Sequence, residues 1–331
     1  MDTDLPADLR HGLDRLAKGQ SRQELAARAA ALSEIYRAGG RSADAVRDSI
    51  DALAYALARM PATYAATAAA LAALAPVLPD FSPRTLLDIG AGPGTAAWAA
   101  TAQFEGLAAI RLIDDNPHLR ALALGLTAAS ENPALQAATY QSGELTAQLR
   151  NAPPADLVIA GYVLGELAPD ALARVADALW SVASGVLVVV EPGTPAGFAR
   201  IRDLRAHLIA RGGRVAAPCP HDGACPIIPP DWCHFSQRLA RTRDHRQVKG
   251  GSLSYEDEKF SYVAVTRAAP RRVDARVLAH PRISKAEASA KLCTAAGITT
   301  TTAGRRERDR YRAIKRWRWG DAVAWPDVPP R

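Results

Sequence analysis

The sequence predicts a doubly wound α/β domain built on a parallel sheet, and three features predict it. Short apolar runs alternate with amphipathic stretches between residues 85 and 190, the pattern of strands joined by crossover helices. One run, Val186 to Val190, is continuously apolar, as a strand covered on both faces must be. The first run ends in a glycine-rich turn, Gly90 to Gly94, where a strand passes into a helix and the backbone can approach a ligand closely.

Each element follows from its local pattern. Residues 1–80 form a helical preface. Leu13, Leu16, Leu25 and Ile35 mark its first part, and Val46, Ile50, Leu53 and Leu57 then recur at three- and four-residue steps. Pro61 is expected to stop that helix, with Tyr64, Ala68, Leu71 and Leu74 starting another that runs to Pro76. Strands are expected at Thr85–Ile89, Ala109–Ile113, Ala137–Tyr140, Leu157–Ala160 and Val186–Val190. Helices are expected at Thr95–Gln103, Leu119–Leu124 and Pro169–Val182. Beyond Arg200 the order loosens into a segment rich in proline and cysteine, Pro218 to His234. Lys259–Val265, Val273–Leu278 and Ser289–Thr294 then read as strands that complete the sheet antiparallel or build a small extra unit. A basic, tryptophan-bearing tail, Arg305 to Trp325, follows. The expected regions are a helical preface over 1–80, a cofactor-binding core over 81–200, a cysteine-rich insertion over 201–250, and strands with a basic tail over 251–331.

Composition bounds the function classes. A chain of 331 residues with 48% hydrophobic content can bury a large core. Its most apolar early stretch, Ala65 to Leu78, is broken by Pro76 and is shorter than the ~20 residues a membrane span requires. The acidic, polar start, Met1 to Arg10, has no apolar stretch of the secretory kind behind it, so a cytoplasmic protein without a membrane partner, monomeric when free, is expected. The net charge of +7, with arginines crowded after Arg200, suggests an anionic partner.

The glycine turn carries the cofactor reading. Gly90, Gly92 and Gly94 are spaced G-x-G-x-G, Asp88 lies two residues before them, and Asp114 closes the second apolar run. An acid at the second position accepts ribose hydroxyls of any adenosine cofactor. Asp88 discriminates, because a carboxylate beside the loop repels a pyrophosphate and suits a sulfonium and an α-amino group. The cofactor expected is therefore S-adenosylmethionine, and the fold a class I methyltransferase sheet. Tyr162 and Glu166, after the fourth run, are the candidate catalytic residues, to orient a substrate or accept its proton. The Asn/Asp-Pro-Pro-aromatic tetrapeptide used to methylate base amines is absent there.

Cys219, Cys225 and Cys233 follow the pattern C-x₅-C-x₇-C, and Cys293 lies on a candidate strand. Four thiols in this arrangement suit a metal centre. Iron–sulfur clusters accept such wide spacing, and a zinc site completed by His221 or His234 is the competitor. A nucleophilic Pro218-Cys219 is disfavoured by its place after the fifth strand.

Several stretches resemble the mitochondrial small-ribosomal-subunit methyltransferase-like family. They are Arg59-Met60-Pro61-Ala62-Thr63-Tyr64, Leu87-Asp88-Ile89-Gly90-Ala91-Gly92-Pro93-Gly94, Cys219-Pro220-His221 with Cys225-Pro226, Asp231-Trp232-Cys233-His234-Phe235, Tyr255-Glu256-Asp257-Glu258-Lys259-Phe260 and Trp319-Gly320-Asp321. The resemblance runs from about residue 45 to 321 and departs at Lys285-Ala286-Glu287-Ala288, where a basic, glycine-containing turn is expected. It implies a factor that binds the small ribosomal subunit and its rRNA and supports assembly and translation, with methyl transfer to the rRNA an open alternative. It also implies a four-iron four-sulfur cluster on Cys219, Cys225, Cys233 and Cys293. Two further readings stand beside it: a non-catalytic assembly module, and a small-molecule or protein methyltransferase. In the tail, Arg312, Arg316 and Arg318, interleaved with Tyr311, Trp317 and Trp319, are the expected RNA contacts, guanidinium groups meeting phosphates while aromatic faces stack on unpaired bases.

Overall fold

The computed structural model describes residues 4–143 and 145–324. Helices α1 (Ala7–Ala17), α2 (Arg22–Arg37), α3 (Ser42–Ala45) and α4 (Ser49–Ala72) come first. Pro61 does not stop a helix there; it lies inside α4. A proline in a helix interior costs about 3 kcal/mol, but α4 is apolar on both sides of it. Leu53, Leu57, Met60, Tyr64 and Leu71 are all buried, so tertiary packing overrides the local break. Asp48 caps the helix, its side chain accepting the N–H groups of Ile50 and Asp51.

Strands and helices then alternate: β1 (Thr85–Ile89), α5 (Thr95–Gln103), β2 (Ala109–Asp114), α6 (Pro117–Ala128), α7 (Pro133–Gln136), β3 (Thr139–Ser142), α8 (Leu145–Asn151), β4 (Ala155–Gly161), α9 (Leu172–Val182), β5 (Ala183–Pro192) and α10 (Pro195–Ala210). After β6 (Arg214–Ala217) come β7 (Phe235–Ala240), α11 (Arg243–Lys249) and β8 (Tyr255–Thr266). The first sheet runs β3-β2-β1-β4-β5-β8-β6, with β7 on the other half of β8. Strands β1 to β5 are mutually parallel, and β8 enters antiparallel between β5 and β6. This is the class I methyltransferase sheet.

Alternate residues of the strands feed two cores. Leu86, Leu112, Leu157, Val186 and Val188 pack with α1, α2 and α4 on one face. Leu87, Ile113, Val158, Leu187 and Val189 pack with α9 and α10 on the other. Both faces are dry, which accounts for the unbroken apolar run in β5. Chain order does not loosen at Arg200: Ile201, Leu204 and Leu208 carry α10 on to Ala210.

A second, five-stranded sheet is formed by β9 (Ala275–Val277), β10 (Arg282–Ile283), β11 (Glu287–Thr294), β12 (Gly297–Gly304) and β13 (Ala322–Val323). Helix α12 (Arg308–Arg316) covers one face through Ile314, against Ala288, Ala290 and Leu292. Among the described residues no helix is long and apolar enough to cross a membrane.

Candidate cofactor cleft and thiol cluster

The glycine turn sits at the carboxyl ends of the parallel strands. Gly90, Gly92 and Gly94 all have positive φ, at 65°, 52° and 80°, conformations that glycine adopts without steric cost. A Cβ at Gly90 would lie 2.6 Å from the Val163 side chain, whereas one at Gly92 would meet nothing nearer than Leu119 at 4.0 Å. Gly92 therefore faces open space. Asp114 braces the turn, accepting the Gly92 N–H at 2.8 Å and the Asn116 N–H at 2.9 Å. The Tyr140 hydroxyl donates to the Gly92 carbonyl at 2.9 Å. Asp88 is buried with Oδ2 lacking a hydrogen-bond partner. Burial pushes its pKa up to about 7, against the pull of the Ala97 backbone. An orphaned carboxylate oxygen and a free glycine edge fit a cationic adenosine cofactor.

The preface reaches over this rim. Glu166 accepts the Ser42 hydroxyl at 2.6 Å and its N–H at 3.1 Å. The Asn116 amide donates to the carbonyls of Ser42 and Val46, and Arg41 meets Asp115. The short segment 41–46 is thus tied to residues following both β2 and β4. Tyr162, next after β4, is the one non-glycine residue with positive φ among the described residues, at 60°. Its hydroxyl donates to Glu258 at 3.1 Å, and Arg59 pairs with the same carboxylate at 3.3 Å. Both candidate catalytic side chains are therefore engaged by the protein itself. Glu191, fully buried, accepts the Leu164 N–H and the Arg200 guanidinium at 3.0 and 2.8 Å, so it holds the turn after β4.

The loop between β6 and β7 brings three thiols towards the fourth on β11. Cys219 and Cys233 are driven up from the ordinary thiol pKa by burial first; Cys225 adds to both, and Cys219 and Cys293 add to Cys233. Burial first, then Cys219 and Cys225, pushes Cys293 up to about 12. His221 Nε2 lies 4.0 Å from the Cys293 sulfur. His234 instead stacks on Trp232 and meets the edge of Trp319. Among the described residues no three His, Cys, Asp or Glu side chains form a group able to hold a metal ion, so a metal centre is not shown. Sequence reasoning missed two neighbours of the thiols, the buried Arg205 and Arg276; arginines in a basic stretch read as solvated, and no local pattern marks these two.

In the basic tail, Arg312 and Arg316 are exposed and line, with Asp309, Ala313 and Trp317, a shallow groove of about 360 Å³. Arg318 is exposed just beyond. Tyr311 and Trp317 lean on the small core, and Trp319 donates its indole N–H to the His234 carbonyl. Trp325 lies outside the described residues.

A family model described as the mitochondrial small ribosomal subunit Rsm22 matches residues 49–326. The chain belongs to that family. Among curated Rsm22-related proteins it is similar to the human mitochondrial ribosome assembly protein METTL17, at 30% identity over 82% of this chain and 62% of that one. It is also similar to the fission-yeast mitochondrial Rsm22-cox11 tandem protein 2, at 29% identity over 66% of this chain and 32% of that one. The chain thus spans less than two thirds of the length of either relative. These relatives correct one expectation: they are mitochondrial proteins, which points to mitochondria and away from the cytoplasm. Solved structures similar to it include a protein described as a putative RNA methyltransferase from Pyrococcus horikoshii, at 12% identity, 61% of this chain, 83% of that one and a TM-score of 0.39. Another is an O-methyltransferase family protein from Burkholderia thailandensis, at 14%, 72%, 67% and 0.44.

Proposed function

We propose that this Rsm22-family chain binds S-adenosylmethionine in the cleft beside Gly92 and docks through α12 on the rRNA of the small ribosomal subunit during its assembly. The observation that carries the docking is the exposed face of Arg312 and Arg316 beside a groove, with the family and the ribosome-assembly description of METTL17 in support. The cofactor assignment is supported by the orphaned Asp88 oxygen, by Asp114 and by the open edge at Gly92. When bound, the cofactor would supply a methyl group on a sulfonium; Asp88 would face its positive charge, and Asp114 would accept its ribose hydroxyls.

The donor set of Cys219, Cys225, Cys233 and Cys293 fits a four-iron four-sulfur cluster, which takes four thiolates. Two buried guanidinium nitrogens without partners beside them fit an anionic group there. The cluster would be structural, fixing a proline-rich loop with little core of its own. Zinc, with His221 in place of one thiolate, is the competing occupant.

A second reading, an assembly module that keeps the cofactor without transferring its methyl group, is favoured by one observation. Tyr162 and Glu166 are both held by the protein itself. The deciding experiment compares small subunits isolated from cells with and without the protein, scoring rRNA methylation and maturation separately. Immature subunits with unchanged methylation support the module; a missing methyl group supports the enzyme. Mature subunits with unchanged methylation would sink the assembly role.

A further inference from the structure

Two arginines from different elements are buried against the thiol loop. Arg205, on α10, is 4% exposed and donates through Nη2 to the His221 carbonyl at 2.7 Å, while its Nε is buried without a partner. Arg276, on β9, is 3% exposed and donates through Nε to the Pro218 carbonyl at 2.7 Å and through Nη1 to the Gly320 carbonyl at 2.9 Å. Its Nη2 is also buried and unpartnered. The carbonyls of Pro218 and His221 flank Cys219 in sequence, and Arg276 stands opposite Cys293 in the β9–β11 register. Both guanidinium groups are therefore held by neutral oxygens next to the thiols, and each keeps a buried nitrogen without a hydrogen-bond partner.

A buried cation is costly unless an anion faces it. No carboxylate among the described residues forms an ion pair with Arg205 or Arg276, and Asp222 nearby is taken by Arg272. Four thiolates outweigh the positive charge of the core they bind, so a loaded site is anionic. We propose that Arg205 and Arg276 are the fixed counter-charges of the group bound by the four cysteines, positioning residues that aim their free N–H groups at it. The inference rests on the thiolate reading proposed above. It has an electrochemical consequence, because the reduction potential of such a cluster depends on net charge and on hydrogen bonds to its sulfurs. Reduction adds one electron, taken here from dithionite, with no bond made or broken. The arginines offset the added negative charge and so raise the midpoint potential.

The test reconstitutes the full chain anaerobically with ferrous iron and sulfide, then measures both elements and the midpoint potential. Wild type is compared with Arg205→Gln, Arg276→Gln and the two corresponding lysine variants. Glutamine variants should hold iron at a lower midpoint potential, with lysine restoring most of the loss. If glutamine abolishes loading, lysine should restore it. Wild-type potential in loaded glutamine variants would overturn the proposal, and so would failure of lysine to restore what glutamine removed. A wild-type chain that takes up neither iron nor sulfide sinks the thiolate reading itself, before any arginine is changed.

Discussion

Asp88 is a carboxyl buried beneath the loop it serves, and its protonation links the cleft to stability. Its folded pKa is raised from 3.8 to about 7, so between those values the unfolded chain has released the proton and the folded chain has not. Stability therefore falls as pH climbs from about 4 to about 7 and levels off above. Burial also raises Asp114, Glu166 and Glu191, so the wild-type slope is a sum. In denaturant titrations the stability of wild type relative to Asp88→Asn should fall as pH rises across that window; a difference independent of pH would mean that Asp88 ionises normally. At Gly92 the expected result is selective. Leucine there meets open space, with a backbone penalty of roughly 1–2 kcal/mol for its positive φ. Calorimetry should show cofactor binding lost while the melting temperature falls only modestly. Leucine at Gly90 would instead collide with Val163 and damage the fold. The glycines and both acids could be read from the sequence, because they punctuate apolar runs. The Ser42–Glu166 contact joins residues 124 positions apart, and no local pattern encodes it.

Helix α12 is the element on which the proposed RNA binding turns. Its apolar side is spent on Ile314, Tyr311 and Trp317 against the small sheet, which leaves the arginine side to the solvent. Changing Arg312, Arg316 and Arg318 together to glutamine should weaken binding to small-subunit rRNA. The slope of log affinity against log salt should flatten by roughly 0.7–0.9 for each phosphate contact removed. An unaltered slope in folded protein would put the RNA surface elsewhere. Elements at this scale were legible unevenly. Strands β1, β2, β4 and β5 announce themselves as apolar runs. Strand β7 buries little besides Phe235 and Leu239 and exists through pairing with β8. In α10 the helical spacing of Ile201, Leu204 and Leu208 was present beneath a high density of charge. Strand β12 carried a run of β-branched threonines. Pro61 shows the opposite failure, a strong local signal overruled by burial.

Across the whole molecule, the position of β8 governs how the chain can be made. The central sheet needs a strand that arrives as residues 255–266 to fill the gap between β5 and β6. A ribosome adding roughly 5–20 residues per second delivers β5 several seconds before the strand that covers its edge. During that interval Val186 to Val190 presents an open, apolar, uncharged edge, the kind of template that pairs with other chains. The nascent protein should therefore need a holding chaperone until Thr266 clears the exit tunnel. Chains released at residue 250 should be insoluble or chaperone-bound, and chains released at residue 270 markedly less so. Equal solubility of the two would show that β5 is protected by something other than β8.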